Sequence, residues 1–153
     1  MRDYVRATRE CTFDGMKPFL AQAIRAHLEK HLLGALEASA LMCCETTSTK
    51  QKKGLFGGKA EVILTGILLT PQWLIWAAGK ETETPGVLSV KLRDIEVLDY
   101  EKTDQYRLIE DNGLSVEGLR TDGVNPGSAF IGLGPEPVSQ KFRSLLRDAQ
   151  MKA

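Results

Sequence analysis

The stretch Glu61–Gly79, EVILTGILLTPQWLIWAAG, decides the fold of this chain. It holds two apolar runs, rich in β-branched and aromatic residues, which are separated by Thr70-Pro71-Gln72. A proline at this point fixes the backbone of a turn and cannot continue a central strand. The stretch therefore predicts the central hairpin of a mostly antiparallel sheet. Gly66, inside the first run, predicts a bulge or a bend, since a glycine within a strand usually marks one.

Composition is typical of a globular protein of one domain. The chain has 153 residues, of which 42% are hydrophobic, and this length is enough for a substantial core. Its 20 basic and 20 acidic residues cancel, so we expect no binding to nucleic acid, and only a local patch could attract an anionic membrane. The three cysteines are expected to be reduced thiols. Because the first residues lack the apolar segment of a signal peptide, a cytoplasmic location is expected.

Residues 1–37 are predicted to form an N-terminal arm followed by an amphipathic helix. The arm covers residues 1–13, and the helix is expected from a cap at Asp14 to about Leu33, with Pro18 in its first turn and Gly34 after its end. Its apolar side chains recur at helical spacing and form a candidate partner surface: Phe19, Leu20, Ile24, Leu28 and Leu32. This surface could pack on the chain's own sheet or on another copy.

Residues 38–153 are predicted to contain the remaining strands and a last helix. A first strand begins near Ala38, and Asn112-Gly113 predicts a type I′ turn between the strands Tyr106–Ile109 and Leu114–Leu119. Pro137 suits the first position of a helix. Apolar residues then follow at helical spacing: Val138, Phe142, Leu145, Leu146 and Ala149. The order of about seven short strands and a C-terminal helix indicates the α+β class.

Three segments resemble the pleckstrin-homology-like (PH-like) superfold, including its GRAM and bacterial members. They are the hairpin LTGILLTPQWLIWAAG (Leu64–Gly79), the strand pair VKLRDIEVLDY (Val90–Tyr100) and the helix SQKFRSLLRDAQ (Ser139–Gln150). The likeness extends from about Ala38 to Lys152. It implies a barrel of about seven antiparallel strands with a C-terminal capping helix, and a binding role instead of catalysis. Trp73 departs from the family pattern, which usually has Arg or Lys at this position.

The loop KQKKGLFGGK (residues 50–59) carries a cluster of lysines around an apolar tip. In PH domains that bind lipid, basic residues of this hairpin hold phosphate head groups, so the resemblance implies an anionic-lipid site here. Its candidate residues are Lys50, Lys52, Lys53, Lys59, Leu55 and Phe56. The alternative is a solvated hairpin whose lysines discourage pairing between sheet edges.

No residue pattern predicts catalysis, a metal or a cofactor. His27 and His31 are four residues apart, but the metalloprotease pattern needs a glutamate directly after the first histidine, where this chain has Leu28. We therefore expect a non-enzymatic PH-like binding or scaffolding domain that acts through protein contacts. Its predicted contact surfaces are an open sheet edge and the N-terminal helix. The alternative function is a peripheral membrane module that uses the Lys50–Lys59 hairpin.

Overall fold

The computed structural model describes residues 2–51, 60–120 and 126–153. Within these ranges the chain forms eight β-strands, three α-helices and three short 3-10 helices. The strands are β1 (Tyr4–Cys11), β2 (Met42–Lys50), β3 (Glu61–Leu69), β4 (Trp73–Gly79), β5 (Gly86–Lys91), β6 (Glu96–Asp99), β7 (Gly113–Leu119) and β8 (Gly127–Gly132). The α-helices are α1 (Pro18–Lys30), α2 (Gln105–Leu108) and α3 (Pro137–Lys152). The 3-10 helices cover Gly34–Ser39, Leu92–Asp94 and Tyr100–Lys102.

The strands form two antiparallel sheets. The large sheet has the order β1-β2-β3-β4-β5, and the small sheet has the order β6-β7-β8. The α+β class and the C-terminal helix predicted from the sequence are confirmed. The predicted barrel is wrong as a closed one, because no strand pairing joins the two sheets within the described ranges. At the β5–β6 connection the 3-10 helix Leu92–Asp94 interrupts the extended backbone, and Gln150 of α3 donates to the carbonyl oxygens of Leu92 and Ile95.

The central hairpin predicted from Glu61–Gly79 is confirmed as β3 and β4. Thr70 closes its turn: the Thr70 N–H donates to the Trp73 carbonyl over 2.9 Å, and the Thr70 hydroxyl accepts from the Trp73 N–H over 3.0 Å. The bulge predicted at Gly66 is wrong, since this residue pairs in register with Glu45 and Ala77. A larger residue would not fit at position 66, because α1 packs closely over it.

Two apolar clusters lie on opposite faces of the large sheet. The first fills the space between the two sheets and includes Phe142 and Leu146 of α3, which are fully buried as the helical pattern predicted. The second lies under α1 and includes Leu20, Ile24 and Leu28. The protein is therefore layered, with α1 outside, the large sheet in the middle, and the small sheet with α3 on the other side.

The predicted arm over residues 1–13 is wrong, because β1 occupies most of it and pairs with β2 along its whole length. Four of its eight residues are exposed and only Thr8 is buried, so the segment shows no apolar pattern in the sequence. Helix α1 begins at Pro18, after Lys17 and without a side-chain cap, while Asp14 forms an ion pair with Arg25. It ends at Lys30, and Leu32 beyond it has a positive φ of 58°.

The turn predicted at Asn112-Gly113 is also wrong. Residues 105–108 form α2 instead of a strand, and Gly113 begins β7 and pairs with Gly132 of β8. A side chain at Gly113 would collide with the Ile131 carbonyl oxygen, and the Gly113 N–H donates to Glu101 over 2.9 Å. The glycine is thus needed for a close approach between strands, not for a turn.

Candidate functional site

The predicted partner surface on α1 is mostly covered by the chain itself. Leu20, Ile24 and Leu28 are at most 1% exposed and pack against the large sheet. Phe19 packs at the border of the same cluster, whereas Leu32 is 93% exposed beyond the end of the helix. These five residues therefore do not form one accessible apolar surface.

The lysine hairpin lies almost wholly outside the described residues. Of its predicted lipid-binding side chains, only Lys50 is described, as the exposed last residue of β2. The others lie in the undescribed segment: Lys52, Lys53, Leu55, Phe56 and Lys59. Within the described ranges, no helix combines the length and the apolar character needed to cross a bilayer. The lipid site stays a prediction.

A cavity of about 510 Å³ lies beside the base of this hairpin, and Arg6 is one of its lining residues. The positive charge of Arg6 is already balanced by the carboxylate of Asp111. The Arg6 guanidinium forms two hydrogen bonds with Asp111, of 2.6 and 2.7 Å, and a third with Ser48. It also lies over the rings of Tyr4 and Phe130, at 4.7 and 5.1 Å from their centroids. Because its donors are engaged, Arg6 links β1 to the small sheet and is not a free anion-binding group.

The outer edge of β1 is covered by the segment between β8 and α3. The Thr8 N–H points away from β2 and donates to the Glu136 carboxylate over 3.0 Å. The Thr8 hydroxyl accepts from the Gly134 N–H over 2.7 Å, and a Cβ on Gly134 would lie 2.7 Å from the Arg6 carbonyl oxygen. The middle of this edge therefore has no room for an added strand.

In the described ranges, the outer edge of β5 carries main-chain groups that have no strand partner. Leu92 lies opposite Gln72 at the end of the β4–β5 ladder, and its N–H donates to the Gln72 carbonyl over 2.9 Å. Since bonding alternates along an antiparallel pair, the peptide groups of Val87, Ser89 and Lys91 point away from β4. In the described part of the chain, β5 pairs with β4 alone. This edge is therefore open to an extended segment.

A groove of about 590 Å³ runs between the β5 edge and the end of β7. Val90, Ile95 and Leu119, which belong to the core between the sheets, supply its apolar part. Its remaining lining residues are Trp73, Ser89, Lys91, Asp94, Gly118 and Arg120. The β7–β8 pairing is irregular between Glu117 and Leu119, where Gly118 has a φ of 88°. Such an irregularity bends a strand, and here it forms one wall of the groove.

Basic side chains lie at one end of this groove. Lys91 places its ammonium 5.7 Å from the centroid of the Trp73 ring, and Arg120 is exposed on the opposite wall. Arg93 lies next along the chain and interacts with Asp94 at 3.9 Å. The lining of the groove thus contains two cations, Lys91 and Arg120, and one carboxylate, Asp94, so the groove favours an anionic side chain.

His27 of α1 contacts β5 from the face of the sheet that α1 covers. Its Nε2 atom forms a 2.8 Å hydrogen bond with the Ser89 hydroxyl, and its ring lies 4.3 Å from that of His31. Burial lowers the pKa of His27, and the nearby His31 lowers it further. In the described ranges no carboxylate hydrogen-bonds to His27, so the pair lacks the acid that orients the base beside a nucleophilic serine. No group of three or more possible metal ligands occurs there either.

Arg143 of α3 holds the helix against β6. Its side chain is 7% exposed, and its guanidinium donates to Asp99 over 2.7 Å and to Glu101 over 2.9 and 3.0 Å. Burial alone would raise the pKa of both carboxyl groups, but the hydrogen bonds and charge of Arg143 bring both pKa values below their ordinary range. This buried cluster, together with Gln150, keeps α3 and the β5–β6 connection in place beside the groove.

Sequence reasoning predicted an open sheet edge but did not identify its residues. The alternation of Leu88 and Val90 with Ser89 and Lys91 marked a half-buried strand, and only the strand order shows that this strand ends the large sheet. Comparison with known proteins adds no relative, because no family model, curated protein or solved structure matches the chain significantly. The resemblance to PH-like domains therefore stays a prediction.

Proposed function

We propose that the protein is a non-enzymatic binding domain that receives an extended peptide on the free edge of β5. One observation carries this proposal: within the described ranges the outward peptide groups of β5 have no strand partner and lie beside a groove with apolar and basic lining residues, whereas the middle of the other edge of the same sheet is covered. A peptide added to a sheet edge gains main-chain hydrogen bonds, and neighbouring pockets select its alternate side chains. Because the apolar stripe of α1 is buried, the β5 edge is the better of the two predicted contact surfaces.

The lining of the groove defines the chemistry of the partner. An apolar side chain fits against Val90, Ile95 and Leu119, and an acidic side chain fits beside Lys91 and Arg120. The partner is thus an extended segment with an apolar residue next to an aspartate or a glutamate. Because β5 has six residues, the contact is short, and we expect the weak affinity typical of small, transient interfaces.

The architecture also supports the PH-like relationship inferred from the sequence. Two antiparallel sheets enclose one core, and α3 fills it from the C-terminal end of the chain. We infer that the protein is a divergent PH-like domain that has an additional helix, α1, on its outer face. Since one fold supports many functions, the proposed activity rests on the β5 edge and not on this relationship.

The experiment compares two substitutions of Lys91. Its N–H points outward, and its φ of −75° suits proline, so Lys91→Pro removes one edge donor without breaking the β4–β5 ladder. Lys91→Ala removes the same side chain and keeps the donor. Peptides of 12 residues would be selected from a phage library with the wild type, then measured by fluorescence polarisation with all three proteins.

We expect the selected peptides to contain acidic residues and to bind Lys91→Ala moderately less tightly than the wild type. Lys91→Pro should bind at least about fivefold less tightly than Lys91→Ala, because a peptide carbonyl loses its partner. Equal thermal midpoints of the two variants would show that the fold is intact. Equal affinity of Lys91→Pro and Lys91→Ala, or a library that yields no binder, would refute strand addition at β5.

A further inference from the structure

Two of the three cysteines lie directly opposite each other in the β1–β2 ladder. Cys11 ends β1, and its register partner in β2 is Cys43. Opposite residues of antiparallel strands project to the same face, with Cα atoms about 4.5–5.5 Å apart. This spacing lies within the range of about 4.4–6.8 Å that a disulfide spans. The register therefore places the two thiols where a disulfide can span the strands.

The surroundings of the two thiols differ in a way that suits stepwise oxidation. Both side chains face α1, where Cys43 is 5% exposed within the apolar cluster and Cys11 is half-buried at its border. A small oxidant can reach Cys11 first. Cys44 is fully buried and belongs to the cluster between the sheets, on the other face, so it cannot replace Cys43.

We propose that Cys11 and Cys43 form an oxidisable pair that closes into an intramolecular disulfide in the presence of a low-molecular-weight disulfide such as oxidised glutathione. The Cys11 thiol loses its proton, and its thiolate attacks one sulfur of the glutathione disulfide, which releases one glutathione thiolate. The Cys43 thiolate then attacks the Cys11 sulfur of the mixed disulfide and releases the second glutathione. Two protein thiols are oxidised, and one glutathione disulfide is reduced to two thiols.

Burial makes this exchange slow at neutral pH. It raises the pKa of Cys11 to about 11 and that of Cys43 to about 12, with further contributions from neighbouring negative charges. Only the thiolate reacts. At pH values below the pKa, the thiolate fraction rises about tenfold for each unit by which the pH increases. The rate of closure should therefore rise steadily from pH 7 to pH 9. This dependence distinguishes the pair from an activated, low-pKa thiol, whose rate would level off in the same interval.

The product ties β1 to β2 across residues 11–43, a segment that contains all of α1. A cross-link of this kind restricts the unfolded chain. The oxidised protein should therefore unfold at a higher temperature than the reduced protein, and reduction with dithiothreitol should reverse the shift.

The experiment uses the full chain, oxidised glutathione in excess, and pH values between 7 and 9. Free thiols would be counted after denaturation, and the linked peptides would be identified by mass spectrometry without reduction. Wild type should fall from three free thiols to one, and Cys44→Ala should fall from two to none. Cys11→Ala and Cys43→Ala should form no intramolecular bond, and peptide mapping of the wild type decides the pairing if a variant fails to fold. A stable glutathione adduct on Cys11 of the wild type, or a bond that includes Cys44, would overturn the proposal.

Discussion

Substitution of Gly66 by alanine tests how closely α1 packs on the large sheet. A Cβ at this position would lie 2.6 Å from the Met16 sulfur, 3.2 Å from Leu20 Cβ and 3.3 Å from Leu20 Cδ1. Ordinary contacts of this type are near 3.5–4 Å, so the sulfur must move by about 1 Å and the Leu20 side chain by a few tenths of an ångström. Both residues are nearly fully buried and have little free space.

The expected cost follows from two opposing contributions. Overpacking of a core costs about 1–3 kcal/mol, whereas replacing glycine within a strand gains about 0.5–1 kcal/mol from reduced freedom of the unfolded chain. Gly66→Ala should thus lower the free energy of unfolding by about 0–2.5 kcal/mol, as measured by urea denaturation. Gly86→Ala is the matched control, because it begins β5 and a Cβ there meets nothing within 4 Å.

A double substitution shows whether the sulfur contact is the cause. In a Met16→Ala background the 2.6 Å contact is gone, and the penalty of Gly66→Ala should shrink by about 1 kcal/mol. Equal stability of Gly66→Ala and Gly86→Ala would mean that α1 does not lie as close to β3 as described. A penalty that Met16→Ala leaves unchanged would mean that the Met16 sulfur, which lies just before α1, is not the contact that causes it.

Three further predictions concern the core, the acid stability and the lysine hairpin. Phe142→Ala should cost about 3–5 kcal/mol in urea denaturation, since the ring is fully buried, and a loss under 1 kcal/mol would contradict its position. The lowered pKa values of Asp99 and Glu101 contribute stability that is complete above about pH 5 and is lost as these groups protonate at lower pH. Acid titration of unfolding should show this loss, and Glu101→Gln should make it shallower; an identical profile would refute the assignment. In liposome co-sedimentation we expect wild type to stay in the supernatant with anionic vesicles, and sedimentation abolished by Lys50→Glu/Lys52→Glu/Lys53→Glu would instead favour the membrane module.

The parts of the fold that were predictable depend on local sequence. The hairpin of β3 and β4 has its apolar runs and its turn within 19 residues, from Glu61 to Gly79, and α3 shows a regular apolar stripe. Strand β1 was missed because it is stabilised by main-chain bonds to β2, some 40 residues away, while only one of its side chains is buried. Asn112-Gly113 was misread because contacts with Glu101 and β8 outweigh the local preference for a turn.

Local sequence patterns could not predict the β5 edge or the cysteine pair, for the same reason. Ser89 and Lys91 look like the polar face of any half-buried strand, and only the strand order makes β5 the last strand of its sheet. Cys11 was expected only to be one of three reduced thiols, and the register of β1 on β2 brings it opposite Cys43. Both features arise from pairing between distant segments, which the spacing of residue types does not encode.

Among the described residues, the two edges of the large sheet are not equally free to accept a strand. Glu136 and Gly134 cover the β1 side, and β5 alone offers main-chain groups at the other side. If two copies join through β5, each occupies the free edge of the other, and the combined ten-stranded sheet has at both ends a β1 strand whose middle is covered. We expect such an assembly to stop at two copies and not to lengthen into a filament, which is the common hazard of an exposed edge. The same covering limits the sheet to one added strand at a time, so a peptide and a second copy compete for a single place.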